Sequence, residues 1–285
     1  MTRYLSKSVI IAISMLLAAC APDATDQAAP AEVASAAQEG VQRVLIIGAT
    51  SGSAKELIPQ ALERGYAVTA LARRPEAVEF EHERLTVVKG DVYDIDTLAA
   101  AMQGDEVVIS MVGPRVDPMK EVEAMDLYTV GTANIMQAMR DAGDKRFLVA
   151  SSLAVENELP TQKPEGEALG DMWLWNARKL YQDMGAMEGL VRDSGLDYVI
   201  FRPPFLVHEP AREDLILTIN EDSPKGTMAT YADFASFVLD QVESDQYLGA
   251  TIGIATDREL VWGGNVDFDE LAKQAEKTRE AVDGR

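Results

Sequence analysis

The residues whose types and spacing promise chemistry begin where an apolar run ends. Val44-Leu45-Ile46-Ile47 gives way to Gly48-Ala49-Thr50-Ser51-Gly52-Ser53-Ala54, and a helical pattern over 54–64 follows at once. A strand, a small-residue turn and a helix N-terminus together make a place for a nucleotide phosphate. Small residues let the backbone approach a pyrophosphate, and the free N–H groups and dipole of the helix favour its charge. Gly48, Thr50, Ser51, Gly52 and Ser53 are therefore candidate phosphate holders. A structural turn without a ligand is the plainer alternative.

Four further strand ends carry candidates. The second apolar run, 67–72, closes in Arg73-Arg74-Pro75. An acid at that place would bond a ribose 2′-hydroxyl, whereas a guanidinium grips a 2′-phosphate through two N–H groups, so Arg73 with Arg74 beside it favours NADP(H) over NAD. A solvated pair at a strand end is the alternative. Gly90-Asp91-Val92 follows the third run, where Asp91 suits either an adenine amino group or a simple cap. Ser110-Met111-Val112-Gly113-Pro114 ends the fourth, with Met111, Val112 and Gly113 placed to line the nicotinamide ribose. Ala150-Ser151-Ser152-Leu153 ends the fifth and puts Ser152 opposite the nicotinamide. Trp175-Asn176-Ala177-Arg178-Lys179 has the spacing of a Tyr-x-x-x-Lys pair but carries Trp, whose indole N–H only donates and cannot deliver a proton as a phenol can. A surface helix lysine is the plainer reading of Lys179.

The elements that must position these residues alternate in type. Strand-like runs at 43–47, 67–72, 85–88, 106–112, 146–150 and 197–201 are separated by helical patterns near 54–64, 95–103, 121–142 and 176–194. That alternation predicts βαβ units and a parallel sheet covered on both faces. Gly65, Gly104, Gly143 and Gly195 stand where the helices should stop. After Arg202-Pro203-Pro204 the pattern thins to a short strand at 215–219, a helix at 231–242 and a last strand at 251–254. The expected fold is α/β, a Rossmann-type doubly wound parallel sheet. It forms a single domain over 41–255 with a small C-terminal substrate-side lobe, followed by a charged helical tail at 256–285.

Composition removes several classes of function. Of 285 residues, 47% are hydrophobic, and the formal net charge is −21 with no basic stripe to offset it, which argues against nucleic-acid binding. One cysteine, Cys20, and two histidines, His82 and His208, exclude an intrachain disulfide framework and a multi-histidine metal site. At the N-terminus, Arg3 and Lys7 precede an apolar stretch from Val9 that closes in Leu17-Ala18-Ala19-Cys20. The stretch is short for a membrane span but suits a signal peptide over 1–19, and its end resembles the lipobox of bacterial lipoproteins. Cys20 then becomes the lipidated residue, with 20–40 as a flexible tether. The expectation is a cell-envelope protein, on the outer membrane facing the periplasm if there are two membranes; an unprocessed, cytoplasmic chain is the alternative.

Together the pieces resemble the atypical short-chain dehydrogenase/reductases with an NAD(P)H-binding domain, and within them the flavin reductase/biliverdin-IXβ reductase group. The resemblance runs from Gln42 to Ile254. It rests on Gly48-Ala49-Thr50-Ser51-Gly52, Gly90-Asp91-Val92, Gly131-Thr132-Ala133-Asn134-Ile135, Ser151-Ser152 and the stretch from Met187-Glu188-Gly189 through Phe201-Arg202-Pro203-Pro204. It implies that NADPH lies along this edge with Val92 and Pro203 among its neighbours, that Ser152 bonds the carboxamide or the substrate, and that hydride passes directly to a flat acceptor such as a flavin or quinone. Departures are clear: Ser51 and Ala54 replace family glycines, and Phe205 and Met184 stand where the reductases often carry histidine. A tethered, non-enzymatic binding or scaffolding domain is the competing expectation. The enzymatic reading predicts that Gly52→Val abolishes cofactor binding by filling the pyrophosphate's place; the scaffold reading predicts tolerance.

Overall fold

In the computed structural model the residues described are 40–104, 106–116, 120–156, 159–164, 169–220, 224 and 228–256. All lie in the unit Glu39–Arg285. The signal, Cys20, the tether before Gly40 and the tail from Asp257 onward fall outside them. Among the described residues no helix is long and apolar enough to cross a membrane.

Among the described residues, ten strands and five α-helices follow in the order β1 (Arg43–Ile47), α1 (Gly52–Glu63), β2 (Ala67–Ala72), β3 (Leu85–Lys89), α2 (Ile95–Ala101), β4 (Val107–Ser110), α3 (Leu127–Ala142), β5 (Arg146–Ala150), α4 (Leu169–Arg192), β6 (Asp197–Arg202), β7 (Phe205–Val207), β8 (Leu215–Ile219), β9 (Met228–Thr230), α5 (Tyr231–Asp240) and β10 (Ala250–Thr256). Eight strands form one sheet in the order β3-β2-β1-β4-β5-β6-β10-β8, parallel except for the edge strand β8. The expected doubly wound sheet is present.

β1 shows why its sequence is continuously apolar. Val44 and Ile46 face a core built with α1 and α5, while Leu45 and Ile47 face a second core with α2, α3 and α4. A strand covered on both sides has no face left for polar residues. The four glycines expected to end helices all have positive φ.

Two expectations need correction. α3 begins at Leu127, not at 121, because the Val122 N–H is taken by the Asn176 carbonyl at 2.8 Å and Asp183 of α4 binds the first N–H groups of α3. α4 begins at Leu169, well before the expected 176. In the C-terminal segment β10 and β8 extend the central sheet, and among the described residues the two-stranded pair β7-β9 stands apart from it.

Candidate functional site

Every candidate in the folded part lies at or beyond the carboxyl end of one of β1 to β6. In open α/β sheets, ligands bind outside those ends, in the crevice where strand order reverses. Here the reversal falls between β1 and β4. Gly48 closes that junction. Its φ is +85°, and a Cβ there would sit 2.6 Å from the Met111 carbonyl oxygen, so no other residue fits. Its N–H and that of Ala49 both donate to the Leu71 carbonyl at 3.2 Å, and Met111 N–H donates to Ile47 at 2.8 Å. The ends of β2, β1 and β4 are thereby joined by hydrogen bonds.

The turn itself is built by local rules. Ser51 caps α1 by accepting the Ala54 N–H at 3.2 Å, and Ser51 N–H donates to Gly48 at 2.9 Å. The N–H groups of Gly52 and Ser53, and the hydroxyls of Thr50 and Ser53, have no partner among the described residues. Unpartnered donors at a helix N-terminus fit a dinucleotide's pyrophosphate.

Arg73 and Arg74 are exposed at the end of β2, and neither guanidinium has a hydrogen-bond or ion-pair partner among the described residues. Asp91 is half-buried, and its Oδ1 accepts the Tyr93 N–H at 3.1 Å, the cap role weighed as the alternative to adenine recognition. Val92 is committed to the fold. Its side chain fills the space over Gly131, and its carbonyl accepts from Asn134 at 2.9 Å. Met111 is buried, Val112 half-buried and Gly113 exposed at the crevice.

The two serines after β5 have different surroundings. Ser151 is buried and donates its hydroxyl to Glu188 Oε1 at 2.6 Å. Glu188, 1% exposed, is also held by Arg202 through both carboxylate oxygens, at 2.9 and 2.6 Å, and by Arg192 at 2.7 Å. Burial pushes the Glu188 carboxyl up, but hydrogen bonds from Arg202 and Ser151 and the arginine charges outweigh it, leaving it below the usual carboxylate range. Ser152 only accepts, from the Ala154 N–H at 3.2 Å, so its own O–H stays free to donate. Pro203 is buried, and its carbonyl accepts the Leu153 N–H at 3.1 Å, tying the ends of β5 and β6.

Trp175 and Lys179 are both engaged with neighbours on or beside α4. The Arg178 guanidinium lies 3.6 Å from the centre of the Trp175 ring and pairs with Glu121, which also lies 3.5 Å from Lys179 Nζ.

The structure also corrects the reason given for Gly52. A Cβ there would meet the Tyr231 ring and hydroxyl at 2.7–3.0 Å. Gly52→Val would therefore strike an aromatic side chain of α5, and it does not separate the enzymatic from the scaffold expectation. Tyr231 stacks on His208, ring centres 4.4 Å apart. The local sequence around Tyr231 carries no ligand-contact signal beyond the Thr230-x-x-Asp233 cap, which places a helix start beside it.

Comparison with known proteins decides the family. The profile of the NAD(P)H-binding family matches residues 48–245. The chain belongs to that family. A chloroplastic protein of Arabidopsis thaliana of uncharacterised function is 26% identical to this NAD(P)H-binding chain over 207 residues, 66% of this chain and 68% of its own. The chain spans about half to two-thirds of the length of the first curated relatives it matches. Among solved structures, a short-chain dehydrogenase/reductase from Veillonella parvula in complex with NADP superposes with a TM-score of 0.62 at 19% identity, covering 79% of this chain and 99% of its own. ChuY, an anaerobillin reductase from Escherichia coli O157:H7, does so with a TM-score of 0.62 at 19% identity, covering 77% and 100%. At such identities the two structures speak for the fold.

Proposed function

We propose that this domain is an NADPH-dependent reductase acting on a flat acceptor such as a flavin or quinone. The observation that carries the reading is the unpaired Arg73 and Arg74 at the end of β2, beside a phosphate turn whose donors are open. Two guanidiniums there suit a 2′-phosphate and would repel nothing in NADPH. Gly48 to Ser53 hold the pyrophosphate, Met111 to Gly113 border the ribose, and the free Ser152 O–H orients the nicotinamide carboxamide or the acceptor. When bound, the dihydronicotinamide supplies a hydride, and water supplies the accompanying proton to a flavin or quinone. Positioning is then the protein's main task, and Trp in the place of a tyrosine acid does not impede it. The lipobox reading of Cys20 places this activity at the cell envelope.

Titration of the full chain with NADPH and NADH by calorimetry tests this. The expected outcome is preference for NADPH, with Arg73→Ala weakening NADPH roughly tenfold or more and leaving NADH unchanged, the range of a lost charge-assisted contact. Loss of nicotinamide absorbance on adding FMN or menadione under anaerobic conditions completes the test. Equal affinity for the two nucleotides refutes the NADP(H) assignment.

A second reading is a tethered scaffold that retains the Rossmann sheet. The engagement of Trp175 and Lys179 with Arg178 and Glu121 favours it, since no acid stands in the usual tyrosine place. It predicts a folded chain with no affinity for either nucleotide.

A further inference from the structure

We propose that Tyr231 is a dinucleotide-contacting residue that donates its hydroxyl to the pyrophosphate held on the Gly48–Ser53 turn. This deepens the proposed function and rests on its dinucleotide-binding half.

Tyr231 opens α5, some 180 residues from the turn, yet its ring edge and hydroxyl occupy the space a side chain at position 52 would need. Only glycine lets them come so near. The hydroxyl has no hydrogen-bond partner among the described residues, and the Gly52 and Ser53 N–H groups beside it are also open. Three unpartnered donors thus lie at the N-terminus of one helix. An anion is the chemistry that satisfies all three. Burial keeps the phenol above its ordinary range, so the oxygen carries its proton at neutral pH and can donate.

The ring is held in place from behind and below. His208 stacks on it at 4.4 Å, and Asp233 fastens the loop bearing His208 by accepting the N–H groups of Arg212 and Glu213 at about 3 Å. α5 is tied to α1 as well, through Gln60 to the Ala232 carbonyl at 3.1 Å and Arg64 to Asp240 at 2.7 Å. The helix that carries the hydroxyl is thereby fixed to the helix whose N-terminus it serves.

The test is Tyr231→Phe, which keeps the ring against Gly52 and His208 and removes the hydroxyl alone. Binding of NADPH and of adenosine 2′-monophosphate, which has no pyrophosphate, is measured on the full chain, together with its thermal unfolding midpoint. The expected result is NADPH affinity reduced about tenfold, with adenosine 2′-monophosphate affinity and the midpoint unchanged. Unaltered NADPH affinity in Tyr231→Phe overturns the inference while leaving the NADPH reading standing. Tighter binding overturns it too, since the hydroxyl would then be an obstruction. A wild-type chain that binds neither NADPH nor NADH overturns both.

Discussion

Asp144 lies at the far end of the sheet from the crevice, just before β5, and it shows how one buried carboxyl can govern pH dependence. It is 3% exposed; Oδ1 accepts the Glu106 N–H at 2.9 Å, and Oδ2 is buried with no partner. Burial first, and then the neighbouring Glu106 carboxylate, push it up to about 6 from an ordinary 3.8, against the hydrogen bond from the Glu106 N–H and a smaller effect of Arg43. The folded chain therefore holds this proton where the unfolded chain has released it. The stabilisation is full below about pH 4 and is lost as pH rises through about 6. Asp144→Asn mimics the protonated form and keeps the acceptor for Glu106 N–H. It should raise stability at pH 7 by on the order of 2 kcal/mol, with the gain vanishing by pH 4; urea unfolding across that range measures it. The same contrast of surroundings separates the serines after β5. Ser151 donates to a buried carboxylate, and Ser152 keeps its proton for the crevice.

Much of the architecture was legible because each helix and strand signals itself locally, and the exceptions have a common cause. The run 43–47 and its turn announced themselves through apolar continuity and small residues, and β1, β2 and β6 fall within a residue of expectation. The start of α3 did not, since its cap comes from elsewhere. Asp126 at the N-cap makes no side-chain capping bond, its Oδ1 accepting the Tyr93 hydroxyl at 2.9 Å instead, while Asp183 of α4 accepts the Tyr128 N–H at 2.7 Å, the Thr129 N–H at 3.2 Å and the Thr129 hydroxyl at 2.6 Å. A cap supplied across 55 residues leaves no mark in the local sequence. β7 and β9, three residues each, are too short to show alternation. Tyr231 was missed for a related reason, because its neighbour Gly52 is distant in sequence and near only in the folded chain. Asp183→Ala should cost roughly 2–3 kcal/mol by leaving one buried and one half-buried N–H group unpaired, whereas Asp183→Asn retains part of it; denaturant midpoints with unchanged m-values would show that α3 lost its cap and not its compactness.

The whole molecule imposes a field on whatever enters the crevice. Its formal net charge is −21, and NADPH is itself a polyanion, so the long-range force opposes the encounter that Arg73 and Arg74 favour at close range. Salt screens the long-range part first, because the Debye length falls from about 30 Å at 0.01 M to about 8 Å at 0.15 M. The association rate of NADPH should therefore rise over that interval, the reverse of the trend for a basic protein, and stopped-flow fluorescence would reveal a fall if the local arginines dominated instead. The sheet has a further property with consequences in time. β10 lies between β6 and β8, so the outer edge of β6 stays unpaired, and β8 has no neighbour in the sheet, until residue 256 has been made. During synthesis on the ribosome, the half of the sheet that carries the phosphate turn can assemble early, while an apolar edge waits for its partner. That interval is when the nascent chain is most exposed to mispairing with another copy and most in need of a chaperone.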